Sequence, residues 1–243
     1  MPVPRVYLPQ PLEVGSTVTL DDRAAKHVAR VLRMRPGDAL VLFNGDGGER
    51  EARLETLGRR VRARVERSLL RQRESTLPVT LALGISRGER MDYAIQKAVE
   101  LGAAALQPLL TARCVVRLEP ERAARRLRHW EGVMVGACEQ CGRNRLPELG
   151  APLLLEDWLA ASGRYALRLM LEPRGAQRLG DLTPPQGSVA LLVGPEGGLT
   201  EGEHHAAAAH GFHGLRLGPR VLRTETAGVA ALAALQAVWG DLA

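Results

Sequence analysis

Two segments near the C-terminal end constrain the fold of this chain more than any others. The first runs Leu191-Leu192-Val193-Gly194-Pro195-Glu196-Gly197-Gly198-Leu199-Thr200. The second runs Leu217-Gly218-Pro219-Arg220-Val221-Leu222-Arg223-Thr224-Glu225-Thr226-Ala227. Each is a short apolar run, a Gly-Pro turn and a helix start. Val189 to Val193 has the length and character of a buried strand. Pro195 ends it, because proline donates no ladder hydrogen bond. Gly197 and Gly198 permit positive φ and let a ligand approach bare backbone N–H groups. Thr200-Glu201-Gly202-Glu203 has the spacing of a capping box and opens a helix. In the second segment Leu215 to Leu217 is expected as strand and Gly218-Pro219 as turn. Thr224 or Thr226 is expected to cap the last helix. Glycine turns at two strand ends suit a ligand bound at the C-terminal edge of a parallel sheet.

The preceding residues supply the elements of such a sheet. Val79 to Ile85 and Ala104 to Leu110 read as strands. Between them Arg90 to Leu101 is an amphipathic helix with Met91, Ile95, Ala98 and Val99 on one stripe, stopped by Gly102. Pro120 suits the first turn of a helix running to Cys141, with Leu127, Trp130, Val133, Met134 and Ala137 inward. Glu156 to Ala161 is a short helix, and Tyr165 to Leu171 and Ser188 to Val193 are strands. The last helix, Thr224 to Trp239, is so rich in Ala, Val and Leu that burial on more than one side is expected. Strands alternating with helices predict a mostly parallel α/β sheet.

Residues 3–70 follow a different rule. Val3 to Leu8 is a strand, and Asp21 caps a helix with Ala24, Val28, Val31 and Leu32 on one face. Leu40 to Phe43 is a strand, and Asn44-Gly45-Asp46-Gly47-Gly48 is a hairpin turn. Ala52, Leu54, Val61, Ala63 and Val65 alternate with polar residues, as in half-exposed antiparallel strands. Leu70 to Pro78 is polar and ends in proline, which makes it the expected boundary. The chain therefore divides into residues 1–72 and 73–243.

Composition narrows the function classes. Aromatic residues are 3% of 243, so Leu, Val and Ala carry most of the packing. Lys plus Arg minus Asp plus Glu is 33 − 27 = +6, and Lys26 and Lys97 are the only lysines. An arginine surplus suits phosphate recognition, and it also suits a merely solvated surface. No stretch has a secretory pattern or approaches the roughly 18 apolar residues of a membrane span, so a cytoplasmic protein without membrane contact is expected. Three cysteines, an odd number, do not make a disulfide framework. Cys138-Glu139-Gln140-Cys141 leaves only Cys114 to join it, too few thiols for a zinc site, and no metal is expected. His204, His205, His210 and His213 read as a surface helix. No lysine follows the first glycine loop as in a phosphate-binding loop, and no dinucleotide fingerprint occurs.

The two glycine segments resemble the cofactor loops of SPOUT methyltransferases, and more narrowly those of the bacterial enzymes that methylate N3 of a uridine in 16S ribosomal RNA. Gly88-Glu89-Arg90-Met91-Asp92, leading to Lys97-Ala98-Val99-Glu100-Leu101-Gly102, resembles that family's first helix. Ala137-Cys138-Glu139-Gln140-Cys141-Gly142-Arg143 resembles its central Glu-Gln-x-x-Arg segment. His27 with Val31-Leu32-Arg33, Gly37-Asp38 and Phe43-Asn44-Gly45 resembles its N-terminal domain. The resemblance covers nearly the whole chain. It implies an N-terminal PUA-like β-barrel that touches RNA, followed by an α/β SPOUT domain whose loops form a deep trefoil knot. Chain-threading statistics by themselves argue against a knot. The implied methyl donor is S-adenosylmethionine, held by Leu171, Gly194, Pro195, Glu196, Gly198, Leu217, Gly218, Leu222, Arg223 and Thr224. The implied partners are 16S rRNA, or the assembling small ribosomal subunit, and a second copy of the chain. The last helix and the stripe beginning at Met91 would form that homodimer.

The chemistry assigns roles. Uracil N3 loses a proton when methylated, and the charge spreads to O2 and O4, where a fixed Arg223 would stabilise it. Glu225 or Glu196 would be the proton acceptor, although an ordinary carboxylate is a weak base for that proton. Arg223 serves equally as a phosphate contact or a helix-terminal ion pair. Gln140 and Arg143 are spaced i, i+3 and are implied in the RNA or cofactor pocket. His27, Arg30 and Arg33, with Arg5, would form an RNA-binding stripe. Two other readings compete: a SPOUT ribose 2′-O-methyltransferase, and a non-catalytic RNA-binding protein. The second has no use for two intact glycine loops.

Overall fold

The computed structural model describes residues 3–114 and 119–242. The chain divides into two compact units. One holds the residues up to Glu74 together with Val135–Leu146, and the other holds Ser75–Met134 and everything from Pro147. A single cut after residue 72 is therefore too simple, because the segment Val135–Leu146 is packed with the N-terminal residues.

The first unit contains β1 (Arg5–Tyr7), β2 (Thr17–Thr19), α1 (Asp22–Lys26), β3 (Ala39–Phe43), β4 (Glu49–Thr56) and β5 (Arg62–Leu69). Its sheet has the order β1-β3-β4-β5-β2, with β1 and β3 parallel and the other neighbours antiparallel. The glycine-rich turn pairs Phe43 with Glu49 as a hairpin. Period-two alternation sends Ala52, Leu54, Ala63 and Val65 inward, against Val6, Leu8, Leu40, Leu42 and the α1 residue Ala24. Asp21 caps α1, its carboxylate accepting from the Ala24 N–H at 2.7 Å. Val31 departs from the expected helix face and is 67% exposed. The cause is local: α1 continues as a π-helical turn, His27–Val31. Its wider turn rotates Val31 off the stripe that buries Ala24 and Val28.

The second unit contains β6 (Val79–Gly84), α2 (Glu89–Glu100), β7 (Ala105–Leu110), α3 (Pro120–Cys141, whose last turns belong to the first unit), β8 (Glu148–Leu149), β9 (Leu153–Leu154), α4 (Leu155–Ala160), β10 (Leu167–Leu171), β11 (Val189–Val193), α5 (Glu201–Ala209), β12 (His213–Leu215) and α6 (Thr224–Trp239). Its sheet runs β12-β10-β11-β6-β7-β8, with β9 also on β7, and every pairing is parallel. Alternate residues serve opposite faces. Ala82, Met170, Ala190 and Leu192 pack with Trp158, Leu159 and Ala207 of α4 and α5. Leu81, Leu83 and Val193 face α6, where a Cβ added at Gly228 would lie 3.4–3.6 Å from them. The strand expected over Leu215 to Leu217 ends at Leu215. Its partner β10 ends at Leu171 opposite it, and the Arg216 N–H turns to the Gln177 carbonyl at 2.9 Å. The stripe Met91, Ala94, Ile95, Ala98, Val99 is buried within the chain, because α2 packs against α6. That stripe is thus no uncovered surface for a second copy, contrary to expectation.

Ion pairs fasten Val135–Leu146 into the first unit. Glu139 Oε1 accepts from the Tyr7 N–H at 2.9 Å and from Arg23 Nη2 at 3.0 Å. Arg143, 5% exposed, donates to Glu74 Oε2 from Nε at 3.0 Å and from Nη2 at 2.5 Å. Arg5 donates to the Arg143 carbonyl at 3.0 Å and to the fully buried Glu49, and its guanidinium lies 4.9 Å from the centre of the Phe43 ring. Arg5 is therefore not part of the exposed RNA stripe, and Arg143 does not present a free charge to a pocket: they pair with the buried Glu49 and the part-buried Glu74. Removing one partner of a buried pair strands the other. Glu49→Ala is expected to lower the unfolding free energy by about 3–5 kcal/mol in urea titrations followed by circular dichroism. A loss under about 1 kcal/mol would contradict the pairing described here.

Candidate functional site

Three strand ends meet at one edge of the parallel sheet. β12, β10 and β11 are neighbours, and the segments that follow them enclose a cavity of about 220 Å³. After β10 it is lined by Leu171, Glu172 and Pro173. After β11 it is lined by Gly194, Pro195, Glu196, Gly198 and Leu199, and after β12 by Leu217, Gly218, Arg220, Val221 and Leu222. The strand ends Val193 and Leu215, with Thr224 and Ala227 of α6 and His204 of α5, complete the wall. The sequence thus located nine lining residues: Leu171, Gly194, Pro195, Glu196, Gly198, Leu217, Gly218, Leu222 and Thr224.

Local sequence explains the loop shapes. Gly198 and Gly218 have φ of 68° and 96°, in the left-handed region, and a Cβ at either would meet nothing within 4 Å. Their glycines are needed for backbone conformation, and the space beside them stays open. Gly84, at the end of β6, has the opposite reason, since a Cβ there would lie 2.5 Å from the Pro195 nitrogen. The loop after β11 therefore rests directly on β6. Thr200 caps α5 in the expected box, accepting from the Glu203 N–H at 3.2 Å, while Glu203 accepts from the Thr200 N–H at 2.7 Å. The cap expected for α6 is absent: Arg223 holds the cap position in an extended conformation, and no side chain closes the helix start. Thr224 is instead the first helical residue, and it lines the cavity.

Arg223 differs from its neighbours. Leu222 and Thr224 line the cavity and Arg223 does not, because consecutive residues of an extended segment point to opposite sides. The Arg223 side chain is exposed and has no hydrogen-bond or ion-pair partner among the described residues. Glu225 lies in the first turn of α6, its side chain 14% exposed and its Oε1 3.9 Å from Arg90 Nε. Glu196 Oε1 accepts from Arg90 Nη1 at 3.0 Å and from the Arg87 N–H at 3.3 Å. Burial pushes the Glu196 carboxyl up, but its own backbone N–H, that of Arg87 and the Arg90 guanidinium together hold it below the usual carboxylate range.

The remaining candidates lie in the first unit. His27 is half-buried on the π-turn, Arg30 and Arg33 are exposed, and Gln140 is exposed on α3. Glu172, Pro173, Arg220, Val221 and His204 were missed from sequence. Glu172 and Pro173 directly follow a strand, which was a usable signal. His204 was hidden among His205, His210 and His213, which are exposed, whereas His204 is half-buried.

The sequence model of the RNA methyltransferase domain matches residues 73–236, and that of the RNA methyltransferase PUA domain matches residues 20–65. The chain belongs to this RNA methyltransferase family. Ribosomal RNA small subunit methyltransferase E of Mycobacterium tuberculosis is 38% identical over 231 residues, covering 92% of this chain and 87% of that protein. The protein of the same name from Buchnera aphidicola is 32% identical over 241 residues, covering 99% and 98%. A putative methyltransferase from Legionella pneumophila, solved in complex with S-adenosylmethionine, superposes with a TM-score of 0.97 at 42% identity over all of both chains. Ribosomal RNA small subunit methyltransferase E of Neisseria gonorrhoeae, bound to S-adenosylmethionine, gives 0.93 at 42% identity over 99% of this chain and 100% of that one.

None of the three cysteines lines the cavity. Among the described residues no group of three His, Cys, Asp or Glu is placed to hold a metal, and no helix is long and apolar enough to cross a membrane. Cys138 is buried, and burial, with Cys141 nearby, pushes its thiol up to about 12. Thiol reactions need the thiolate. At pH 8, Cys138 is therefore expected to resist an aromatic disulfide reagent until guanidinium unfolds the protein, while Cys114 and Cys141 react first. Prompt labelling of Cys138, mapped by mass spectrometry, would contradict its burial.

Proposed function

We propose that this RNA methyltransferase transfers the methyl group of S-adenosylmethionine to N3 of a uridine in 16S ribosomal RNA. The observation that carries the reading is the cavity itself, enclosed by the two glycine segments at the C-terminal edge of the parallel sheet. Its residues fit the cofactor. Leu171, Leu217, Leu222 and Ala227 offer an apolar slot for adenine. The open space at Gly198 and Gly218 admits a ligand to backbone N–H groups, and the uncapped start of α6 leaves its own N–H groups available. When bound, S-adenosylmethionine supplies an electrophilic methyl group on a cationic sulfur. The protein's task is to orient uracil and to stabilise the charge left when the N3 proton departs. Arg223 has a guanidinium free for that charge and a backbone adjoining the cavity wall. Glu196, held ionised by its own backbone N–H, that of Arg87 and the Arg90 guanidinium, is a poor proton acceptor. In this reading the loops are threaded as the trefoil knot that the family resemblance implies.

The N-terminal unit carries RNA through the exposed Arg30, Arg33 and Gln140 in this reading. The chain acts in the cytoplasm, as a homodimer. Exposed Tyr93, Val238 and Leu242 on or beside α2 and α6 are the apolar groups left for a second copy. Sedimentation at micromolar concentration is expected to give a dimer, and a monomer would exclude that part of the reading.

Arg223 gives the sharpest test of the chemistry. Arg223→Ala should slow single-turnover transfer by about 10²–10³-fold, as for loss of one oxyanion donor, and leave S-adenosylmethionine affinity nearly unchanged. Arg223→Lys should recover little, because a point charge replaces a planar fork. If Arg223 contacts phosphate instead, RNA affinity falls with a shallower salt dependence while the rate at saturating RNA survives. Digestion of the product to nucleosides and mass spectrometry should yield 3-methyluridine. A ribose-methylated nucleoside would establish the 2′-O reading in its place.

A further inference from the structure

Arg90 lies on the first turn of α2, outside both glycine loops and outside the cavity wall, yet it reaches both loops. Its Nη1 donates to Glu196 at 3.0 Å, in the loop after β11, and its Nε is 3.9 Å from Glu225, in the first turn of α6. The chain before it is braced against the same loop: the Arg87 N–H also donates to Glu196, and Gly84 abuts Pro195. Glu225 has no other ion-pair or side-chain hydrogen-bond partner among the described residues, and its Oε2 is buried without a hydrogen bond. Arg223, two residues before Glu225, has no partner among the described residues to hold its guanidinium. Its placement is therefore inherited from the backbone at the start of α6.

We propose that Arg90 is a positioning residue, whose single guanidinium ties the loop after β11 to the start of α6 and so fixes where Arg223 stands relative to the cavity. The inference rests on the proposed methyl transfer for its rate arm only. Arg90 is 46% exposed, so its ion pairs contribute little to global stability. Geometry is where they matter, since a misplacement of about 1 Å at a reacting centre costs about 100-fold in rate. A guanidinium presents Nε and Nη1 in a fixed plane to two carboxylates at once. An ammonium is a point charge and cannot hold both in the same geometry.

The experiment compares Arg90→Ala, Arg90→Lys, Glu225→Gln and the double variant Arg90→Ala/Glu225→Gln with the unaltered protein. In the ligand-free protein, Arg90→Ala should speed backbone hydrogen exchange at residues 194–198 and 222–227 and leave thermal melting cooperative. Single-turnover transfer at saturating S-adenosylmethionine and RNA should fall about 10- to 100-fold. Affinity for S-adenosylmethionine by calorimetry should fall far less than the rate. Arg90→Lys should recover part of the rate and of the exchange protection. The double variant should be no slower than Arg90→Ala alone, because Arg90→Ala already removes the ion pair that Glu225→Gln would remove. Unchanged exchange in both loops would overturn the proposal, as would a double variant whose loss is the product of the two single losses. If the unaltered protein neither binds S-adenosylmethionine nor transfers methyl, the functional reading fails, and the exchange comparison still decides the role of Arg90.

Discussion

The site depends first on parallel strand pairing. A parallel pair needs a crossover connection, so every strand of such a sheet ends on the same edge. In the second unit β12, β10 and β11 are consecutive neighbours, and three loops distant in sequence are delivered to one place. The cavity follows from that arrangement, and each loop adds a local device. Positive φ at Gly198 and Gly218 turns the chain without filling the space beside it. The missing Cβ of Gly84 lets the loop after β11 lie on the end of β6. The two-residue alternation that faces Leu81, Leu83 and Val193 to α6 also fixes where the start of α6, and so Leu222 and Thr224, meets the cavity.

The arginines fall into two populations with different physics. Arg5 and Arg143, part-buried and buried, pair with Glu49 and Glu74, where their value is organisational: each partners a carboxylate that would otherwise be stranded. Arg30, Arg33 and Arg223 are exposed, with guanidiniums free of carboxylate partners among the described residues. Arg90 is intermediate, partly exposed and shared between two acids. Arginine-rich composition alone could not separate these groups. A surplus of charge says that anions are welcome somewhere, and only the positions of the acids say which guanidiniums remain available.

Local chemistry was legible wherever it was decided by neighbouring residues. The hairpin turn at Asn44-Gly45, the Asp21 cap, the capping box at Thr200 and the buried strand before Gly194 all formed as their side chains dictate. Errors arose where a distant partner decided. The strand expected to reach Leu217 stops at Leu215, because β10 stops opposite it. Val31 is the exception, since it left its predicted face for a local reason, the widening of the helix into a π-turn. The stripe on α2 found its cover in α6, so it was not surplus surface.

The sequence by itself determined the alternation of strands and helices and the glycine turns, since each depends on backbone preference or periodicity within a few residues; the nine expected residues that line the cavity came from the family resemblance of the two glycine segments. Tertiary structure decided the rest. It returned Val135–Leu146 to the N-terminal unit and engaged two of the arginines expected to bind RNA in ion pairs with Glu49 and Glu74. It brought Glu172 and His204 to the cavity and turned Arg223 away from its wall. It also set Arg90 between Glu196 and Glu225, residues about 100 and about 130 positions further along the chain. Ion pairs of that kind carry no periodic signature. They exist only once the sheet has brought the strand ends together.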